Sequence, residues 1–206
     1  MSKENENKKM QVVIATRNQG KVREFNFMFQ QLGWEAVSLA EFPDVPEVVE
    51  DGETFEANAR KKAETVSRFL NMPAVGDDSG LQVDVLGGKP GVYSARFAGE
   101  KATDKDNWQK LLRELQGVPN EQRTARFRCT LAFARPGEET MIADGKCEGV
   151  ILREPAGTNG FGYDPVFFLP DRLCTMAQLD PSVKNKISHR ANALHSLVEQ
   201  IRGMGV

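Results

Sequence analysis

The chain has 206 residues, 40% of them hydrophobic and 27% charged, with a formal net charge of −2. That length fits one large domain or two closely packed lobes. The balance lacks the basic surplus of a dedicated nucleic-acid binder, and no apolar run is long enough to span a bilayer, so neither nucleic acid nor membrane is expected as a partner.

Met1–Lys9 is polar, without the apolar core of a signal peptide, and reads as a disordered tail ahead of a single folding unit over residues 10–206. The three cysteines, Cys129, Cys147 and Cys174, lack CxxC spacing. They argue against a disulfide framework or a zinc site and for a reduced, cytoplasmic compartment. Gln11–Ala15 reads as a buried first strand. Thr16-Arg17-Asn18-Gln19-Gly20-Lys21 follows, then a helix with Val22, Phe25, Phe29 and Leu32 on one face. A strand, a glycine-containing turn and a helix N-terminus can hold phosphate, because free N–H groups and the helix dipole attract anions. The loop is not a Walker A sequence. On spacing alone, a simple cap by Thr16 or Asn18 with a solvated Lys21 is the better account.

Glu35–Leu39 reads as an edge strand and Phe42–Val49 as a proline-containing acidic loop. Thr54 caps a helix that buries Phe55, Ala59, Ala63, Val66 and Leu70. Glu50, Asp51 and Glu53 sit just before it, either complementing its dipole or reaching a divalent cation. Lys62 borders the apolar face, where it snorkels or enters a cleft.

Gly76–Gly99 is the densest stretch of special residues. Residues 73–78 read as a strand ending in the acidic pair, so Asp77 and Asp78 are predicted on opposite faces unless the strand has already ended there. One would face metal and water, the other would support it; an ordinary Asp-Ser-Gly turn is the plain alternative. Gly87–Gly91 reads as a shaped turn that delivers Tyr93–Arg96 to the cleft or to a subunit interface.

Thr103–Gln116 carries a capping box with Asp106 and an inward face of Trp108, Leu111, Leu112 and Leu115; it reads as purely structural. Ala125, Phe127, Cys129, Leu131 and Phe133 alternate with polar residues, and a turn at 135–138 leads into a second strand from about Thr140 to Ile151. Cys129 is then inert core. In the glycine-rich loop 155–165, Phe161 or Tyr163 either stacks on a base or plugs the core. Val166–Leu169 is a buried strand. Ser188 caps the last helix, with Ala191, Leu194, Val198 and Ile201 inward. His189 and Arg190 fall in its first turn, off the apolar stripe, where cations oppose the dipole unless an anion or a base carbonyl is bound; otherwise they are surface charges.

Six motifs in series carry a resemblance: Thr16–Lys21, Glu50–Asn58, Asp77–Leu81, Gly87–Arg96, Gly160–Pro165 and Ser188–Arg190. In this order and spacing the chain resembles the inosine/xanthosine triphosphate pyrophosphatase family, over nearly everything from Val12 to Ile201. The resemblance implies an α/β fold, a long twisted mixed sheet flanked by helices, in two lobes around a substrate cleft, and a homodimer. It implies hydrolysis of ITP, dITP or XTP to nucleoside monophosphate and pyrophosphate with Mg2+; a Maf-like pyrophosphatase for pyrimidine or modified nucleotides is the alternative. It casts Asp78 as proton acceptor and metal ligand, Glu50 as the second metal carboxylate and Lys62 as the lysine beside the phosphates. Thr16, Arg17, Asn18, Gln19, Gly20 and Lys21 would hold the triphosphate, with Ser79 touching substrate. Phe161, Gly162, Tyr163, Asp164, Lys184, His189 and Arg190 would form the base and ribose pocket.

Overall fold

The computed structural model describes residues 10–203; the tail expected at Met1–Lys9 lies outside them. A seven-stranded mixed sheet runs through the molecule in the order β2-β1-β3-β4-β5-β6-β7. The first strand, β1 (Gln11–Ile14), leads through α1 (Gln19–Gln31) to β2 (Glu35–Ser38), which forms the sheet edge parallel to β1. Helix α2 (Phe55–Leu70) then leads to β3 (Ala74–Val83), parallel to β1 on its other side. From β3 onward the sheet is antiparallel through β4 (Thr124–Ala134), β5 (Met141–Ile151), β6 (Phe167–Leu169) and the short β7 (Cys174–Thr175). The helices α3 (Asp104–Glu114), α4 (Pro181–Ile187) and α5 (His189–Gly203) complete the chain.

The alternation in β4 sets the two faces. Cys129, Leu131 and Phe133 join Phe25, Phe29, Leu194 and Leu197 in a core beneath α1 and α5. On the other face, Ala132 and Ala134 meet Ala59 and Ala63 of α2. Small residues stand where a helix lies close. A third cluster, with Leu111 and Leu115 of α3 packed on Leu81, Phe127 and Phe167, fills the far end.

Several sequence expectations need correction. The β3 strand does not end at the acidic pair; it continues to Val83, paired residue by residue with β4. The inward face of α5 is centred on Ala193 and Leu197, both fully buried, while Ala191 and Ile201 only flank the core. Helix α4 and strand β7 carried too little periodicity to be read from so few residues.

This topology creates the site. Strand β1 stops at Ile14, opposite Val75, whereas β3 runs eight residues further. The carboxylates of Asp77 and Asp78 therefore stand beyond the end of β1, beside the loop leading into α1. The α1 crossover carries the chain from β1 to β2 on one side and the α2 crossover carries it back past β1 to β3 on the other, and such a switch in direction opens a crevice at the strand ends.

Candidate active site

A cleft of about 840 Å³ opens at this point, within the range of small-molecule sites. Its lining includes Thr16, Asn18 and Lys21 on one wall, Glu50 and Asp51 on another, Asp78–Leu81 on the floor, Ser94–Arg96 on a third side and Phe161–Asp164 with Lys184 and His189 at the far end.

Residues alternate along β3, and the two aspartates enter different worlds. Asp77 faces α1 and α5, its side chain fully buried. It accepts hydrogen bonds from Arg190 Nε at 2.7 Å and Nη2 at 3.3 Å, from Cys129 Sγ at 3.2 Å, and pairs with Lys21. Burial alone would raise its pKa, but Arg190 and Lys21 hold it well below the ordinary carboxylate range. Asp78 faces α2 and the cleft. Asn58 Nδ2 donates to its Oδ2 at 2.9 Å, and Lys62 Nζ lies 3.9 Å from its Oδ1. Burial outweighs Lys62 and Lys21 here and lifts its pKa to about 6. The two carboxylates face opposite sides of the sheet, as strand alternation predicts, and Asp78 is the one that lines the cleft.

Gly76 explains how α2 comes so near. A Cβ there would fall inside the Ala59 carbonyl oxygen and 2.8 Å from Ala63 N. Without it the helix rests directly on the strand, bringing Asn58 and Lys62, one turn apart on one face, to Asp78. The Lys62 ammonium is buried; it donates to Glu50 Oε2 and to the Asp77 carbonyl, each at 2.7 Å. One lysine thus sits among Glu50, the Asp77 carbonyl and Asp78, deeper than a snorkelling lysine.

The loop after β1 reaches the cleft through Thr16, Asn18 and Lys21. Asn18 caps α1 by accepting from Lys21 N at 3.1 Å, but Lys21 itself is not solvated, being paired with Asp77. Arg17 and Gln19 are exposed and stand outside the lining; the Arg17 guanidinium instead donates to the Val45 carbonyl at 3.3 Å. Gly20 packs against Phe161, whose ring a Cβ would meet at 2.8 Å.

At the far end, Phe161 presents its ring to the cleft, with Lys184 Nζ 4.6 Å from the centroid. Tyr163 is the residue that plugs the core, its hydroxyl donating to the Ser94 carbonyl at 2.8 Å. His189 stacks on Phe127, ring centroids 4.8 Å apart, and its Nδ1 is buried without a hydrogen-bond partner among the described residues. Burial, with Arg190 alongside, lowers its pKa to about 3, so the ring is neutral at physiological pH.

Arg190 corrects the sequence reading most. It is neither a surface charge nor a free donor lining the cleft; it is 0% exposed. Its guanidinium is engaged by Asp77, by Glu24 and by Ser79 Oγ at 3.0 Å. The anion that its place at a helix N-terminus calls for is supplied from within the fold. Glu24, which the sequence reading passed over, also pairs with Lys184 at 2.9 Å, and Lys184 with Asp164 at 2.6 Å. Three cations and three carboxylates alternate from Lys21 through Asp77, Arg190, Glu24 and Lys184 to Asp164, binding α1, β3, α4, α5 and the 161–164 loop together. Glu24 follows Lys21 by three residues and shares its helix face, which was the available signal. Asn58, Asp104 and Asn107 were likewise missed as site residues.

The residues fit a hard divalent cation. Carboxylates outnumber cations in the lining by seven to three, and Glu50 and Asp78 are bonded to or near the same ammonium group. Among the described residues no three acidic, histidine or cysteine side chains form a ready-made cage. Two carboxylates that leave room for water and phosphate oxygens are the donor set Mg2+ commonly uses.

The model of the Ham1 family matches residues 12–200. A dITP/XTP pyrophosphatase of Geobacillus kaustophilus is 58% identical over 190 residues, covering 92% of this chain and 93% of that protein. Its Bacillus subtilis counterpart is 53% identical over 187 residues, covering 91% and 94%. Among solved structures, the Ham1 protein of Staphylococcus aureus superposes with a TM-score of 0.83 at 41% identity, covering 94% of this chain and 99% of that one. The chain belongs to the Ham1 family.

Proposed function

We propose, from that membership, that this protein hydrolyses deaminated purine nucleoside triphosphates (dITP, ITP and XTP) to the monophosphate and pyrophosphate, clearing them from the nucleotide pool. The relatives' names favour this over the Maf-like alternative. The observation that carries the mechanism is the pair Asp78 and Glu50 in the cleft lining, backed by the buried Asn58 and Lys62, with the Phe161 ring at the far end.

The nucleotide lies with its base on Phe161 and its phosphates toward Thr16–Lys21 and the acidic floor. A water is held at Asp78, whose raised pKa makes it a competent proton acceptor. The water oxygen bonds to phosphorus, its proton passes to Asp78, and the phosphoanhydride electrons leave with pyrophosphate. Asn58 fixes Oδ2 of the carboxylate, and Oδ1, which accepts from Ser79 N at 3.1 Å, keeps a second lone pair for the proton. Lys62 and Lys21 neutralise developing negative charge at the phosphates. Glu50 and Asp78 would hold Mg2+, which when bound supplies Lewis-acid stabilisation of phosphate oxygens. At the base end, the neutral His189 ring can hydrogen-bond the edge of a 6-oxopurine. Arg190 acts there indirectly, by holding Ser79 and Asp77 in place. A homodimer, which rests on the family resemblance, and a cytoplasmic location, which rests on the cysteine usage, belong to the same proposal.

Pyrophosphate release from a panel of nucleoside triphosphates tests the reading. dITP and XTP are expected to outrun dATP, dGTP and the pyrimidines, with turnover lost in EDTA and restored by Mg2+. Asp78→Asn should abolish turnover while nucleotide still binds; normal turnover in that variant would sink the assignment.

A further inference from the structure

Two walls flank the base end of the cleft, the 3-10 segment around Ser94–Arg96 and the loop Phe161–Asp164. Neither belongs to a long helix or strand, yet both are fixed, and much of the fixing comes from α3. On one side the buried Asn107 accepts from Ala98 N at 2.7 Å and donates to the Ala95 carbonyl at 3.0 Å. One turn on, Lys110 Nζ donates to the Phe97 carbonyl at 2.7 Å. On the other side Asp104 Oδ2 accepts from Gly162 N at 2.7 Å. Tyr163 closes the bracket through its bond to the Ser94 carbonyl.

The pattern goes beyond what capping requires. Thr103 and Asp106 already form the capping box of α3, so Asp104 is free for its cross-loop bond. Asn107 interrupts the polar-to-apolar pattern of the helix with a buried amide. A buried amide is costly unless its hydrogen bonds are met, and its partners here are the backbone of a cleft wall.

We infer that α3 is the spacer that sets the width of the base pocket, with Asp104 and Asn107 as positioning residues that determine specificity. The inference rests on the nucleotide reading above and deepens it. Hypoxanthine, xanthine and guanine share the 6-oxo group and guanine alone carries a 2-amino donor, so rejecting guanine while admitting the 2-oxo group of xanthine requires the polar backbone groups of both walls to be held at a fixed spacing around position 2. Releasing the Gly162 tether lets the Phe161 loop move away from the Ser94 wall, and discrimination falls.

Asp104 is exposed, so substituting it leaves the core intact. Asp104→Ala is expected to lower the ratio of kcat/KM for dITP to that for dGTP about fivefold, the equivalent of one ordinary hydrogen bond. The dITP effect falls mainly on KM. Asp104→Asn, whose amide oxygen still accepts from Gly162, should keep the wild-type ratio. Amide hydrogen exchange at Gly162 in the ligand-free protein gives a second readout, independent of activity. It should quicken about fivefold in Asp104→Ala and stay unchanged in Asp104→Asn. An unchanged ratio in Asp104→Ala, equal defects in the Ala and Asn variants, or unchanged exchange overturns the inference. Failure of the wild type to hydrolyse dITP overturns the functional reading instead, and the exchange experiment still decides whether α3 holds the wall.

Discussion

Gly76 has no side chain and touches no substrate, yet Gly76→Ala should cripple the enzyme. The added methyl carbon would lie 2.8 Å from Ala63 N, against about 3.4 Å for ordinary contact, and closer still to the Ala59 carbonyl. Both obstacles are helix backbone, so no side chain can swing aside. Helix α2 has to retreat from β3 by more than half an ångström, carrying Asn58 and Lys62 away from Asp78. Overpacking of this kind costs about 1–3 kcal/mol, or a fall in Tm of roughly 2–12 °C for a chain of this size. Misplacement approaching 1 Å costs catalysis up to about 100-fold. Thermal unfolding and dITP turnover on the same preparation measure the two effects. A folded Gly76→Ala protein with wild-type kcat would refute the claim that helix-to-strand contact sets the geometry at Asp78.

His189 makes stability depend on acid. Its unfolded pKa near 6.5 drops to about 3 on folding, so its contribution is complete above pH 6.5 and lost as pH falls towards 3, by up to about 1.4 kcal/mol per pH unit. Urea midpoints between pH 6.5 and 4 should therefore fall more steeply for wild type than for His189→Gln; parallel falls would show that the ring is not buried neutral. Arg190→Met strands the carboxylates of Asp77 and Glu24 and should cost about 3–5 kcal/mol in chemical denaturation. A loss below about 1 kcal/mol would mean that solvent reaches these groups.

The sequence displays best what repeats. The β4–β5 hairpin, the amphipathic α2 and the capping box of α3 follow from periodicity and local caps, and the structure has all of them. Asp77 and Asp78 were legible as a two-faced pair because strand geometry alone separates them. What stayed hidden depends on contacts between distant segments. Glu24 and Arg190 lie 166 residues apart and each looks like an ordinary helix-surface charge until α1 and α5 meet. Asn107 and Asp104 are hidden in the same way, since their partners lie in loops whose course no local pattern specifies. Arg17 shows the opposite case: it sits inside a recognisable motif, and yet its side chain serves the Val45 loop.

The uninterrupted run of β3 through Asp77 and Asp78 has a consequence for how this chain can vary in length. A single peptide unit separates a carboxylate locked in ion pairs from one left poised for chemistry, and only the parity of the strand says which is which. Adding or deleting one residue between Val75 and Asp77 would turn each carboxylate to the other's side of the sheet, delivering the poised one to Arg190 and the neutralised one to the cleft. The count of residues in this strand is thus under as tight a constraint as their identity, and length variation has to be accommodated in the loops on either side.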